Sequence, residues 1–233
     1  MRRVSQQIGW SQEAKLYYEW LVQLERLTAI LGNNIVPTTT TTTTINPNVA
    51  CVTIPGWATA NLNVTTYANG DPIPEVQDQA TWDSLTTGAW CSYDNNPAND
   101  AIYGKLYNWY AVSDPRGLAP TGYHVASDTE WITLITCLGG DLIAGGKLKE
   151  TGTTHWLAPN TGATNSSGFT ALPGGIRGQI LGFIDINNYA YFWSSASVGP
   201  TAAVGFNIYS LDTSVGQSID NKKSGRSIRV IAD

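Results

Sequence analysis

The chain has 233 residues, of which 42% are hydrophobic and 13% charged, and its formal net charge is −5. This composition can build one sizeable core and carries too little charge for an intrinsically disordered chain. The acidic balance argues against a nucleic-acid partner, because phosphate binding needs clustered Lys and Arg. The one weak basic cluster, interpreted as solvated strand ends, consists of Lys222, Lys223, Arg226 and Arg229.

No stretch approaches the roughly 20 apolar residues that a membrane span needs, and Met1 to Arg3 lead into polar residues rather than an apolar signal core. We therefore expect neither membrane insertion nor Sec export. Cys51, Cys91 and Cys137 lack CxxC spacing, so the sequence predicts buried free thiols and leaves a single bridge open.

Residues 1–36 are predicted to form a helical attachment or oligomerisation segment, with its helix from residue 11 to about 31. Ser11 is a suitable N-cap, and Gly32 supplies a C-terminal stop. The apolar surface is too wide for a lone helix, so we expect trimerisation or docking on a larger scaffold; the alternative is that the helix folds back on the rest of the chain. The residues expected on this surface include Trp10, Tyr17, Trp20, Leu21, Leu24, Leu27 and Leu31.

Residues 37–50 are predicted to be an extended Thr-rich linker. Thr38 to Thr44 are consecutive threonines bracketed by Pro37 and Pro47. β-branched side chains disfavour a helix, and proline interrupts one. At about 3.3 Å per residue this segment could span up to about 45 Å.

The remaining residues, 51–233, predict an α+β domain with much irregular loop. Ser127 and Glu130 form a capping-box pattern at the start of a helix that Gly139 and Gly140 should end. A shorter helix is expected at residues 79–85. The other expected elements are a turn at 68–71 and strands at 52–54, 89–93, 191–194, 204–209 and 227–231.

The sequence gives little sign of catalysis. His124 and His155 are the two histidines, and neither lies in a hydrolase or zinc-protease motif. We interpret both as packed structural histidines, Glu130 as a capping acid and Glu150 as a surface charge. The aromatic residues expected in the core are Trp109, Trp131, Trp193 and Phe206.

Two clusters of Asp and Asn are candidate calcium sites. One spans residues 94–100 and the other residues 185–188. Calcium needs six to eight oxygen ligands, usually with several carboxylates. Because Asn and Asp also form turns readily, we interpret both clusters as turns and predict no metal or other cofactor.

Several motifs together resemble the Fibrobacter succinogenes major paralogous domain, and they cover essentially all of residues 51–233. They are WATANLNVTTY (57–67), YGKLYNWYAV (103–112), GLAPTGYHV (117–125), GGKLKETGTTHW (145–156), GFTALPGG (168–175), FWSS (192–195) and SIRV (227–230). The resemblance implies a C-type lectin-like fold whose late loops present a variable ligand-binding face. It also relates the chain to formylglycine-generating enzymes, but their paired cysteines near the domain end have no counterpart after Cys137.

The chain departs from that family at Ala60, where the family usually has a glutamate.

The start of the chain, with Ile8 to Ser11 followed by the helix and the threonine run, resembles virion proteins of tailed phages of gut bacteria. This second resemblance implies assembly in the host cytoplasm, release by lysis and a place on the virion surface.

We therefore predict a non-enzymatic virion protein, a head fibre or capsid decoration, that attaches to other virion proteins through residues 1–36. Its lectin-like head should bind a host-surface polysaccharide or receptor, because tyrosine stacks on sugar rings and amides make adaptable hydrogen bonds. The alternatives are a purely structural virion subunit and, least favoured, a glycan hydrolase. The predicted ligand-binding residues are Tyr189, Tyr191, Asn207, Tyr209, Asp212, Asn221 and Lys222. For Tyr189 and Tyr209 the alternative, equally favoured, is a core position on a strand.

Overall fold

The computed structural model describes residues 56–179 and 181–233. The predicted helix within residues 1–36, the linker at 37–50 and the strand at 52–54 lie outside the described residues. The described part combines helices with a larger share of strands, as the predicted α+β class requires.

The helices are short and lie mostly in the first half of this region: α1 is Gln79–Ser84, α2 Asp100–Tyr103, α3 Trp109–Val112, α4 Asp128–Cys137 and α5 Asp141–Leu148. The strands are β1 Trp90–Cys91, β2 Leu106–Tyr107, β3 Tyr123–Val125, β4 Gly174–Gly178, β5 Gly182–Ile186, β6 Tyr189–Val198, β7 Ala202–Tyr209, β8 Val215–Asn221 and β9 Val230–Ala232.

The five strands β4 to β8 form the main sheet, in the order β5-β4-β6-β7-β8. Neighbouring strands run antiparallel except for β4 and β6, which are parallel. Two small antiparallel pairs, β1 with β2 and β3 with β9, stand beside it. Trp57 forms a bridge with Ile231 in β9, so the first and last residues of the described region lie close together.

One face of the main sheet packs against α4. Trp131 is the centre of this core: its ring stacks on Phe206 at 5.0 Å and lies 5.3 Å from Phe192. The Ser127 hydroxyl accepts a hydrogen bond from the Glu130 amide, and the Glu130 carboxylate accepts one from the Ser127 amide, which completes the predicted capping box. The helix therefore starts where it can press Trp131 against the sheet.

A second core cluster contains Trp109 and Trp193. Trp193 Nε1 donates to the carbonyl of Tyr107 at 3.1 Å, and Trp109 Nε1 donates to the carbonyl of Ser194 at 2.9 Å. Burying an indole N–H without a partner would cost free energy, so these bonds make the burial of both rings affordable. The predicted core positions Trp109, Trp131, Trp193 and Phe206 are all confirmed.

Arg229 is fully buried, and its guanidinium donates hydrogen bonds to one side-chain amide oxygen and three backbone carbonyls. Its Nε donates to Asn61 Oδ1 at 2.7 Å, and Nη1 donates to the carbonyls of Ala58 at 2.7 Å and Phe169 at 2.6 Å. Nη2 donates to the Thr170 carbonyl at 2.8 Å. Burial lowers the pKa of Arg229 to about 9. One side chain thus joins three segments that are distant in sequence.

The basic cluster at residues 222–229 is not a set of solvated strand ends, so that prediction was wrong. Lys222, Arg226 and Arg229 are buried, and Lys223 is half-buried. The charges are tolerated because each buried group has hydrogen-bond acceptors and an aromatic ring beside it.

The predicted helix at 79–85, the turn at 68–71 and the C-terminal strands are present, with shifted ends. The sequence reading missed α5, because glycines disfavour helices. A Cβ on Gly145 would lie 2.1 Å from the Ser214 carbonyl oxygen, and one on Gly146 would lie 2.5 Å from that of Gly162. The helix therefore uses glycine to let neighbouring backbone approach.

The thiols behave differently from one another. Cys91 is a buried free thiol, as predicted, and burial raises its pKa to about 12. Cys137 is disulfide-bonded, so the expectation of a free thiol was wrong at this position.

Within residues 56–179 and 181–233 no single helix could cross a membrane. The helices α4 and α5, which are bent by 89° relative to each other, meet the length and composition requirement only as a pair.

Replacing Arg229 with Met should lower the free energy of unfolding by about 3 kcal/mol or more. The apolar side chain would leave buried Asn61 Oδ1, the carbonyl of buried Phe169 and two half-buried carbonyls without this donor, and each unpaired buried group costs about 1–3 kcal/mol. Chemical denaturation of the purified chain measures the change.

Arg116→Met is the matched control, since Arg116 pairs with Asp114 in an exposed position. It should leave the denaturation midpoint almost unchanged. Equal midpoints for Arg229→Met and the unmodified chain would show that Arg229 does not hold these segments together.

Candidate ligand-binding face

Strand register brings four of the predicted ligand-binding residues together on the main sheet. Tyr189 lies opposite Tyr209, and Tyr191 lies opposite Asn207, across the β6–β7 pair. Residues that are opposite each other share a face of the sheet, and so do alternate residues along a strand. All four are half-buried on the face turned away from Trp131. We call this set the tyrosine face.

The three tyrosine rings stack on one another. The Tyr189 and Tyr209 rings are 4.3 Å apart and inclined by 10°, and the Tyr189 and Tyr191 rings are 5.2 Å apart and inclined by 19°. Tyr189 is therefore covered on both sides. The stack leaves uncovered the ring edges and hydroxyls of the set and the side of the Tyr209 ring that faces away from Tyr189.

Tyr191 is held in place by contacts with Asp185 and Arg226. Its hydroxyl donates to Asp185 Oδ2 at 2.8 Å, and the Arg226 guanidinium lies 5.2 Å from its ring centre. Burial, together with the bond to Asp185, raises the pKa of Tyr191 above its usual range. Its hydroxyl hydrogen is thus committed to Asp185, and its role is to position the neighbouring rings.

The remaining polar groups of the tyrosine face differ from the Tyr191 hydroxyl in their hydrogen bonding. Among the described residues, no hydrogen-bond partner is found for the hydroxyls of Tyr189 and Tyr209 or for the side-chain amide of Asn207. Asn207 lies against Gly216, where a Cβ would come within 2.7 Å of Asn207 Oδ1. The glycine lets the amide lie flat on the sheet beside the tyrosines.

Lys149 supports the turn that follows Tyr209. Its ammonium donates to the carbonyls of Tyr209 at 3.0 Å, Asp212 at 2.8 Å and Thr161 at 2.9 Å. Burial lowers the pKa of Lys149 to about 8. Asp212 is exposed in this turn, where its Oδ1 accepts from the amide and hydroxyl of Ser214. The edge of the tyrosine face is therefore held by backbone contacts.

Two of the predicted ligand-binding residues lie elsewhere. Asn221 is opposite Ala202 at the end of β8, which puts it on the other face of the sheet, and its Oδ1 accepts from the Lys223 amide. Lys222 is buried, with its ammonium 4.4 Å from the Trp109 ring centre and 2.9 Å from the Gly199 carbonyl. The tyrosine face does not include them.

Sequence reasoning missed Arg226 and its partners. Arg226 is buried beside the tyrosine face, pairs with Asp220 at 2.5 Å and lies over the Trp193 ring at 4.7 Å. A Cβ on Gly205 would come within 2.1 Å of Arg226 Nη1. A signal existed in the alternation of Gly205 with bulky neighbours, since a lone glycine in a strand often marks a close approach.

An open cleft of about 460 Å³ lies at the start of α4, and His124 is at its rim. The His124 ring bridges two carboxylates: Nδ1 is 2.8 Å from Asp233 Oδ1, and Nε2 is 2.7 Å from Glu130 Oε1. The bonds to Asp233 and then Glu130 raise the pKa of His124. Burial raises the pKa of Glu130, but bonds from Ser127 and His124 outweigh it and lower that pKa.

His155 also has a carboxylate partner, since Nδ1 is 2.9 Å from Glu150 Oε2. Glu150 is thus a partner of His155 and not the plain surface charge that the sequence predicted. Both histidines are hydrogen-bonded to carboxylates, as expected, but the His124 side chain is 41% exposed and is not packed in the core.

The Asp and Asn clusters form turns. Asn96 Oδ1 accepts from the Ala98 amide, and Asn99 Nδ2 donates to the Tyr93 carbonyl. Asp185 and Asn187 have positive φ angles of 66° and 64°, a conformation that Asn and Asp adopt more readily than most residues. In the part of the chain that the structure describes, no group of three or more His, Cys, Asp or Glu side chains could hold a metal ion.

The fold and this face define an α+β domain with a mixed five-stranded sheet that buries one face and presents tyrosines on the other. The family model described as the Fibrobacter succinogenes major domain matches residues 55–232, and the chain belongs to that family. Comparison with curated proteins and with solved structures finds no match to this chain. Ala60, at which the sequence departs from the resembled motif, is exposed.

His124 should make stability depend on pH. Because its pKa is raised in the folded chain, its contribution is complete below the unfolded pKa near 6.5 and is lost as pH rises through the folded value. The melting temperature of His124→Gln should fall clearly below that of the unmodified chain at about pH 5.5, and only slightly below it at about pH 8.5.

Asp233→Asn removes one of the two partners and should show the same trend with smaller amplitude. A melting difference that stays constant over this pH range would contradict a charged His124 bridge.

Proposed function

We propose that the chain is a virion display protein, a head fibre or capsid decoration, whose C-type lectin-like head binds a host-surface glycan or receptor through the tyrosine face. It would act on the virion surface after assembly in the host cytoplasm. Residues 1–36 attach it to other virion proteins or hold a homotrimer, and the threonine linker spaces the head from that attachment.

The proposal depends on one observation: polar groups that have no hydrogen-bond partner among the described residues lie on and beside rigidly stacked tyrosine rings. Two tyrosine hydroxyls and one amide lie side by side on neighbouring strands, and stacking fixes the rings that carry them. Rigid groups lose little conformational entropy when they bind. A sheet surface with this arrangement is better suited to recognition than to packing.

The charges around the tyrosine face favour a neutral ligand. Arg226, the cation beside it, is buried and paired with Asp220, while Asp212 is exposed at the edge. Tyr189 and Tyr209 offer neutral hydroxyls, and Asn207 offers both a donor and an acceptor. This combination matches the hydroxyl groups of an uncharged polysaccharide, and it would repel a heavily sulfated or phosphorylated one.

Glycan hydrolysis has less support. A glycosidase needs two carboxyl groups across a cleft, one of them free to give a proton. Asp185 accepts the Tyr191 hydroxyl hydrogen, Asp220 is paired with Arg226, and Asp212 accepts from Ser214. These carboxylates beside the tyrosine face are engaged in structural contacts, so we propose binding without catalysis.

A purely structural role in the virion is the second candidate. An apolar groove of about 340 Å³ between α4 and β8 is lined by Ile132, Ile135 and Phe206. Ile219, on the edge strand β8, is 61% exposed. Apolar surface beside an unpaired edge strand is typical of sites that contact other proteins. In this case the chain would contact neighbouring virion subunits and no host surface.

Replacing Tyr209 or Asn207 with Ala should weaken binding of the full-length chain to host cells and to their extracted capsular polysaccharide. Loss of a central aromatic contact costs about 2 kcal/mol, or roughly a 30-fold rise in Kd. Saturation binding to a panel of gut bacteria and their polysaccharides measures the effect. Oligomerisation would strengthen weak single-site binding, so the full-length chain is used.

Tyr123→Ala is the matched control, because Tyr123 is an exposed tyrosine on β3, outside the tyrosine face. It should bind as the unmodified chain does. Binding that is equally strong in the Tyr209, Asn207 and Tyr123 variants would exclude the tyrosine face. Binding to virion particles without binding to any host surface would favour the structural role.

A further inference from the structure

Lys105, Asn63 and Asp100 form a compact group away from the tyrosine face. Lys105 Nζ lies 2.8 Å from Asn63 Oδ1 and 2.5 Å from Asp100 Oδ2. Asn63 Nδ2 donates to the Asp100 carbonyl at 3.2 Å, which fixes the orientation of the amide. Because a C=O bond is about 1.23 Å long, Lys105 Nζ is no more than about 4.0 Å from the Asn63 amide carbon.

The Lys105 and Asp100 side chains are largely shielded from water, with exposed fractions of 9% and 11%. The Trp90 ring covers the ammonium at 4.3 Å. Asp100 Oδ1 is buried and has no hydrogen-bond partner among the described residues. Transfer of one proton from Lys105 to Asp100 would create a nucleophilic amine beside the Asn63 amide.

We propose that Lys105 and Asn63 form an intramolecular isopeptide bond, with Asp100 as the proton carrier. Asp100 takes one proton from the Lys105 ammonium, and the neutral amine attacks the Asn63 amide carbon. A bond forms between Lys105 Nζ and Asn63 Cγ, and the bond from Cγ to Nδ2 breaks.

The departing nitrogen keeps its two hydrogens and receives two from Lys105, one of them through Asp100. It leaves as ammonium, Asp100 returns to its carboxylate form, and no oxidant or reductant is needed. Positioning is the main requirement for such a reaction, which needs the reacting atoms about 3–3.5 Å apart. The upper bound of about 4.0 Å between Lys105 Nζ and Asn63 Cγ leaves a small approach to be made.

The bond would join residues that are 42 positions apart in the chain. It would join the segment after Trp57 to the residue that precedes β2, so these two segments could not separate. A cross-link that closes a loop of this length limits the unfolded chain, as a disulfide does.

Mass spectrometry of the purified full-length chain, after reduction of its disulfide, tests the proposal. The expected mass is lower than the sequence mass by one ammonia molecule. Trypsin does not cut after an acylated lysine, so digestion should yield one peptide from Leu27 to Arg116, lighter by one ammonia molecule, with an internal loop closed between Asn63 and Lys105. A chain with the full sequence mass and a free tryptic terminus at Lys105 would overturn the proposal.

Variants separate this reaction from other losses of ammonia. Asn63→Ala, Lys105→Arg and Asp100→Ala should all have their full sequence masses. Asn69→Ala is the matched control, since Asn69 precedes Gly70 in an exposed turn where cyclisation could also release ammonia. It should retain the mass loss and the uncut, internally looped peptide. A mass loss that disappears in Asn69→Ala and remains in Lys105→Arg would also overturn the proposal.

Discussion

The buried guanidinium of Arg229 is the interaction on which the domain depends most. It reaches Ala58 and Asn61 near the start of the described region, Phe169 and Thr170 in the middle, and it belongs to the last segment of the chain. Without a carboxylate among these partners, the charge is compensated by oriented carbonyl dipoles and by an aromatic ring. Such a group is costly when any partner is missing, so it favours one arrangement of these segments over looser ones.

That arrangement determines what the main sheet can present. Once the two ends of the described region are joined, α4 covers one face of the sheet through Trp131, and Trp109 packs beside Trp193 at one end of the other face. The uncovered end of this second face carries Tyr189, Tyr191 and Tyr209. Arg226 marks the boundary, because it contacts both buried Trp193 and half-buried Tyr191. The core and the tyrosine face are therefore continuous parts of one packed structure.

Local signals predicted much of this fold. The capping box identified the start of α4, and alternation identified β6 and β7, because these elements obey rules that act over a few residues. The helix α5 and the role of Arg226 were missed, since both depend on glycines whose partners are distant in sequence. For the tyrosine face, period-two spacing could place Tyr189 and Tyr191 together. Their alignment with Asn207 and Tyr209 follows from the β6–β7 register, which spacing alone does not specify.

The stacking of the tyrosines also refines how a ligand could be bound. An isolated exposed tyrosine would offer both sides of its ring to a sugar, but Tyr189 is covered by Tyr191 and Tyr209. Recognition would then depend mainly on hydrogen bonds from the ring edges and from Asn207, with one ring surface available at Tyr209. Hydrogen bonds discriminate between hydroxyl arrangements more sharply than stacking does, because a mismatched polar group is left unpaired. A face of this kind would favour selectivity for one sugar configuration over high affinity at a single site, and the proposed trimer would supply the affinity through multivalency.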